Sequence, residues 1–428
     1  MPHYFSSEEA LRKLKLFYSL EFDLLRHTIG YCPLLPRYAD KCQFVRHVYE
    51  DLKRTRALRE RIQDFGIAQP EKQLHAGWTN FVRRLMGAQG ADRFIPALYR
   101  VVKAEQAAAY RLYAQSTLRL NDAPSVEVFE DHLSALERQI AWGKQFIECG
   151  SISAERERET EAFEEELRAH MALLGGLYDG AATEEAQETI AEYPAYAVPA
   201  EMLLEPAFVW RSAERIYDVV AAAEEEHPAH HSYAHFTELP IIDLVATIVY
   251  DGRHMPFDYI ADFVRQAWDE VRHSQMGFSR LRSMGIDPYA VPIPLGHYSS
   301  YLAQPLLERI AALTQVGEAC SFVPKKKWQQ MARDHNDLLT ALEHDFDVVD
   351  EKNHVKFGTK WMKELMAKQA ETRPFAQVVQ DAEWAVRDAV NELKKEKGEK
   401  WQADLGPKFT GCQGSDTPLN LAPPIMFA

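Results

Sequence analysis

Two short strings carry the residue types of a metal site. Glu270-Val271-Arg272-His273 returns 81 residues later as Glu351-Lys352-Asn353-His354. In each, a carboxylate and an imidazole stand three residues apart. On a helix that spacing puts both on one face, within reach of a cation held between helices. With 40 Glu and 16 His in 428 residues, about 1.5 such pairs arise by chance; three occur, the third being Glu224 to His227. A lone glutamate upstream sets the first two apart. Glu238 precedes Glu270 by 32 residues and Glu318 precedes Glu351 by 33. A helix of about 20 residues, a turn and part of a second helix use up that length, so each lone Glu can face its Glu-x-x-His pair across an antiparallel hairpin.

Four carboxylates and two neutral imidazoles form a mixed oxygen and nitrogen set suited to iron or manganese, and their four negative charges offset two divalent ions. Zinc usually takes fewer ligands and more sulfur. Glu from two helices plus Glu-x-x-His from two others is the ligand set of the ferritin-like di-iron and di-manganese proteins, and over residues 230 to 370 the sequence resembles that superfamily. The resemblance implies that Glu238, Glu270, His273, Glu318, Glu351 and His354 hold two metal ions in a four-helix bundle. Iron is the first expectation; manganese or a mixed Fe/Mn pair is the variant. Asp269 and Asp350 each precede a ligand Glu. A ligating His usually donates its second ring N–H to a carboxylate, so each Asp is placed to orient the His of the opposite motif, the alternative being an exposed helix Asp. Asp269-Glu270-Val271-Arg272-His273 also looks like a string of the bacterial multicomponent monooxygenases, which implies oxygen activation rather than iron storage. His235, one turn before Glu238, is an extra ligand, a proton shuttle or a partly exposed residue, and His231 has the same options. Four residues after His273 stands Gly277, not Tyr, so a stored tyrosyl radical is not supported. Gly277, Thr314, Cys320 and Phe322 shape a pocket or pack in the core.

The chain that must position these residues reads as all-α. Hydrophobic content of 46% and charged content of 26% are those of a globular protein. A formal charge of −15 argues against nucleic-acid binding. Lys325-Lys326-Lys327 reads as a solvated helix start. Five scattered cysteines without Cys-x-x-Cys spacing fit reduced thiols. No apolar run reaches the length of a membrane span and no signal pattern opens the chain, so the expected location is cytoplasmic. Apolar periodicity, caps and Pro/Gly breaks place helices at 7–29, 38–65, near Trp78, from Pro96 to 120, to 149, and at 154–174. Further helices fall at 206–226, 230–251, 257–284, 299–322, 336–369 and 374–397. The expected organisation is a degenerate helical bundle over 1–175, a linker over 176–205, a ferritin-like di-metal bundle over 206–400 and a tail over 401–428.

The first half carries a faint echo of the second. Glu21, Glu50, Glu105 and Glu137 match Glu238, Glu270, Glu318 and Glu351 at offsets of 217, 220, 213 and 214 residues. Lys53 and Ile140 then stand where His273 and His354 stand, which reads as a duplicated bundle without metal. The functional expectation is a di-metal, dioxygen-using oxygenase or oxidase acting on a small organic molecule. An external electron donor is expected, because the chain has no dinucleotide fingerprint and no iron–sulfur cysteine set. A homodimer is compatible with this reading. The alternatives are a ferroxidase or iron-binding protein without organic substrate, and a metal-free structural helical protein.

Overall fold

The computed structural model describes residues 4–148, 154–180, 193–211, 228–294 and 296–397. The expected tail, most of the expected helix at 206–226, Glu224, His227, Cys149 and Cys412 lie outside these residues. The described chain is helical apart from one short pair of strands. It divides into two compact units, Met1–Leu35 with Arg46–Val198, and Pro36–Val45 with Pro199–Ala428.

In the first unit, α1 (Ser7–Thr28) starts where Ser6 Oγ accepts the Glu9 backbone N–H at 3.1 Å, the forward half of a capping box. It is followed by α2 (Tyr38–Asp64) and α3 (Ala76–Met86). The helix expected to open at Pro96 starts earlier. It runs as α4 (Ala91–Pro96), a π-helical stretch Ala97–Val102 and α5 (Lys103–Ser116), so Pro96 sits inside it. Then come α6 (Ala123–Glu148) and α7 (Ala154–Leu173).

The boundary between units differs from the expected linker, and the first turns of α2 group with the second unit. Their bonds explain why. Tyr38 N–H donates to the Glu205 carboxylate at 2.6 Å, its hydroxyl accepts from Ser274 at 3.1 Å, and Lys41 Nζ donates to Asp243 at 2.6 Å. Lys41 and Asp243 are 2% and 0% exposed. A buried pair of this kind is strongly destabilising when one partner is removed.

The second unit opens with β1 (Val209–Arg211), which pairs in parallel with β2 (Pro292–Pro294). At 206–211 this turn and strand replace the start of the expected helix. The expected helix 230–251 is two: α8 (Pro228–Phe236) and α9 (Leu239–Asp251). Pro240 has no N–H to give the Phe236 carbonyl, so the ladder breaks over Thr237 and Glu238. Residues 239–250 of α9 are buried on every side, as a helix apolar all round must be. α10 (Phe257–Ser283) and α11 (Gly296–Leu302) follow. Pro305 caps α12 (Leu306–Ile310), which passes through a π-helical stretch Ala311–Glu318 into α13 (Ala319–Asp334). The helix therefore continues through Pro324, beyond the expected end at 322. α14 (Leu338–Lys368) and α15 (Phe375–Lys397) complete the unit. α8 and α9 pack on α10, α10 packs on α14, and α14 packs on α13 and the π-helical stretch. No described helix is long and apolar enough to cross a membrane.

Candidate metal centre

Four stretches of the second unit meet at one buried point. Glu238 comes from the α8–α9 junction, Glu270 and His273 from α10, Glu318 from the last residue of the π-helical stretch, and Glu351 and His354 from α14. All six are at most 2% exposed. His273 Nδ1 lies 3.0 Å from Glu238 Oε2 and 3.8 Å from Glu270 Oε2. His354 Nδ1 lies 3.3 Å from Glu351 Oε2, 3.4 Å from Glu270 Oε1 and 3.7 Å from Glu318 Oε1. The donor atoms form two sets, each within 4.8 Å: Glu238, His273, Asp347 and Glu351, and Glu270, Glu318 and His354.

The outward atoms of these side chains are held, and the inward ones are bare. His273 Nε2 faces Asp350 at 3.4 Å, and His354 Nε2 faces Asp269 at 3.4 Å, each the Asp of the opposite motif. Arg272 holds both Asp residues, at 2.5 Å and 2.9 Å, and Arg265 joins them at 2.8 Å and 3.3 Å. Gln266 Nε2 donates to Glu270 Oε1 at 3.2 Å and to Glu318 Oε1 at 3.1 Å. Lys325 Nζ donates to Glu351 Oε1 at 2.5 Å, Asp347 Oδ1 at 2.9 Å and Glu238 Oε1 at 3.4 Å. What is left is Glu238 Oε2, Glu351 Oε2, His273 Nδ1 and His354 Nδ1, all enclosed and without a hydrogen-bond partner. Buried polar atoms are rarely left so, and two oxygens with two ring nitrogens are donors that a transition-metal ion accepts.

Electrostatics tells the same story. Burial drives the Glu270 carboxyl up to about 8, and Glu318 also rises, first by burial and then by the charges of Glu351 and Glu270. Burial alone would lower His273 and His354, but the carboxylates around them outweigh it and hold both well above the usual imidazole range. Lys325 is likewise held charged against burial by Asp347, Glu351 and Glu238. Protons thus do the neutralising that a cation would otherwise do.

Spacing along α14 and α8 could have found more of this set than the Glu-x-x-His motif did. His344, Asp347, Glu351 and His354 form one polar stripe on α14, and His231, His235 and Glu238 continue a second one. Lys325 is a correction: it is 1% exposed, whereas Lys326 and Lys327 are exposed as a solvated run should be. Gly277, Thr314, Cys320 and Phe322 mostly pack: a Cβ on Gly277 would lie 2.4 Å from Phe236 N and Ser232 O, and Thr314 Oγ1 bonds its own helix at 2.8 Å.

The same point in the first unit is closed by protein charges, in a register one residue away from the expected one. Of the four expected glutamates Glu21 is buried, Glu50 and Glu105 are half-buried and Glu137 is exposed. Lys53 is exposed too, its ammonium 4.8 Å from the Tyr49 ring. The interior instead holds Arg54, bonded to Glu21 at 2.5 Å and Asp51 at 2.8 Å, and Lys103, bonded to Asp51 at 2.7 Å and Gln139 at 2.8 Å.

Residues 164–400 match the profile of the family described as protein of unknown function (DUF455), which is more than half of the chain. The chain belongs to the DUF455 family. The DUF455 match spans every residue of the centre in the second unit and none of the buried charges of the first. No curated protein matches the chain, and no solved structure does.

Proposed function

We propose that this protein is a di-metal oxidoreductase that activates dioxygen and oxidises a small organic molecule. In this reading both units are ferritin-like four-helix bundles, the first having lost its ligands. The observation that carries the proposal is the ring of four bare donor atoms, each on a side chain whose other polar atom is held from outside. Two ions of iron, of manganese, or one of each would supply the binding and reduction of dioxygen. Glu238, His273 and Asp347 would hold the first, Glu318 and His354 the second, with Glu270 and Glu351 between them.

The rest of the work falls to the chain. Asp269 and Asp350 fix the ring orientation and tautomer of the two histidines, and outer partners of this kind raise ligand basicity. Gln266 and Lys325 turn one oxygen of each carboxylate outward and leave the other for coordination. Asp347 and Lys325 cancel in charge, so four carboxylates still set the balance and two divalent ions neutralise it. Ligand burial of at least 98% keeps bulk water away from the reacting atoms.

Anaerobic loading with Fe(II), followed by oxygen, tests the proposal. His273→Ala and His354→Ala should each lower bound iron, and admitting oxygen to the wild type should raise near-ultraviolet absorption that the variants lack. Oxygen uptake stimulated by a small organic molecule supports an oxygenase or oxidase; uptake driven by Fe(II) alone would make it a ferroxidase. Equal iron binding by wild type and both variants would remove the metal reading.

A further inference from the structure

One group of buried side chains is not used by the two-ion centre. His344 on α14 is 0% exposed and neither of its ring nitrogens has a hydrogen-bond partner. His235 on α8, also 0% exposed, bonds Asp347 Oδ2 through Nε2 at 3.1 Å, and its Nδ1 has no hydrogen-bond partner. The two rings lie 4.5 Å apart between centroids. His231 on α8 and Trp328 on α13 stack at 5.4 Å on the side of His344 away from the carboxylates, their rings 5.7 Å and 5.8 Å from it.

Three unmet ring nitrogens in a dry interior are costly, since each forfeits about 1–3 kcal/mol of lost hydration. Either water or a cation must repay them, and the donor set favours the cation. One ligand atom each from His235, His344 and Asp347 lie within 4.8 Å of one another. Donors around an ion bonded at about 2.1 Å stand roughly 3 to 4 Å apart, so small side-chain adjustments close the site. Two imidazoles and one carboxylate are a set that zinc, cobalt and ferrous iron all accept, and three protein donors leave room for water or an anion.

We infer that His235, His344 and Asp347 form a separate site for one divalent transition-metal ion, beside the two-ion centre and joined to it through Asp347. The site differs in kind from its neighbour. It is nitrogen-rich and open at one or more coordination positions, so its ion is the more exchangeable. It rests on the metal reading of the centre only through the shared Asp347, since its other two donors belong to neither set there.

Cobalt(II) is the probe, because nitrogen-bound cobalt of low coordination number absorbs visible light far more strongly than carboxylate-bound cobalt of high coordination number. Saturated wild-type protein should hold about three ions per chain, and His344→Gln should hold about one fewer and lose the intense visible bands. His354→Ala should lose cobalt from the two-ion centre and keep those bands. Cobalt should also quench tryptophan emission, less so in Trp328→Phe, a comparison that does not need either histidine variant to fold. Identical cobalt content, spectra and quenching in wild type and His344→Gln would overturn the inference, as would quenching unchanged by Trp328→Phe; water alone would then satisfy these nitrogens. Loss of ions in His344→Gln, but not in His354→Ala, would leave this site standing and sink the two-ion centre instead.

Discussion

An ammonium at 1% exposure survives only where carboxylates surround it, and Lys325 has Glu351, Asp347 and Glu238. Because it binds Oε1 of both glutamates and leaves Oε2 of both bare, its part is to aim them. Lys325→Met keeps the aliphatic stem and removes the donors. It should weaken metal binding by about 10- to 100-fold, read by competition with a chelator, as loss of an outer-shell partner does. Binding equal to or tighter than wild type would show that Lys325 is a counter-charge and not an organiser. Protonation gives a second expectation at the same scale. With Glu270 held up to about 8 and both histidines charged in the metal-free protein, an ion must displace protons to bind. Affinity should therefore rise with pH up to about 8, and loading at pH 7 should acidify a weakly buffered solution; a pH-independent affinity would contradict it. The six Glu and His residues were legible from spacing because each motif is local. Lys325 and Asp347 were not, since one follows a proline that ordinarily ends a helix and the other belongs to no short motif.

At the scale of elements, most helices follow from apolar period and caps, and the departures all lie where a ligand is placed. Pro240 parts α8 from α9 beside Glu238, the π-helical stretch ends on Glu318, and α13 runs on through Pro324 to bring in Lys325. None of these is a matter of local propensity. A break or a wide turn that lifts a carboxylate out of the regular ladder is paid for by packing on α10 and α14, which residue types alone do not reveal. Gly277 shows how tight that packing is. An added Cβ would stand 2.4 Å from the backbone of Phe236 and Ser232, so α8 would have to move. Gly277→Ala should cost about 1–3 kcal/mol in urea unfolding, as overpacking does. Since α8 carries His235 and leads into Glu238, metal affinity should fall with it. A variant as stable as wild type, with unchanged metal binding, would mean that α8 is free to shift.

Across the whole molecule the two units answer one problem in two ways. Counted from the first residue of each helix, Glu270 and His273 in α10 and Glu351 and His354 in α14 are the fourteenth and seventeenth. The fourteenth and seventeenth residues of α2 are Asp51 and Arg54, and those of α6 are Leu136 and Gln139. This matched register supports a duplication, and it explains the one-residue error of the sequence reading. Chance glutamates at 50 and 137 mimicked the motif, while the interior positions had already changed residue type. In the first unit two cations, Arg54 and Lys103, face two carboxylates, Glu21 and Asp51, all at most 4% exposed, so no ion is needed for neutrality. Arg54→Leu leaves both carboxylates short of a partner and should cost about 3–5 kcal/mol of stability. Lys53→Ala, one residue away but exposed, should stay within about 0.5 kcal/mol. Acid should act in the same place. Despite burial, Lys103 and Arg54 hold Asp51 down to about 2, against an ordinary value of 3.8. Its stabilising contribution is therefore complete above about pH 4 and is lost as pH falls towards about 2. Asp51→Asn should be less stable than wild type at pH 7, and the gap should narrow across that window in urea titrations. Metal content should be the same in all three variants, because every ligand lies in the second unit. A gap that persists unchanged to pH 2, or metal lost from Arg54→Leu while it remains folded, would refute the view that protein charges stand here in place of metal ions.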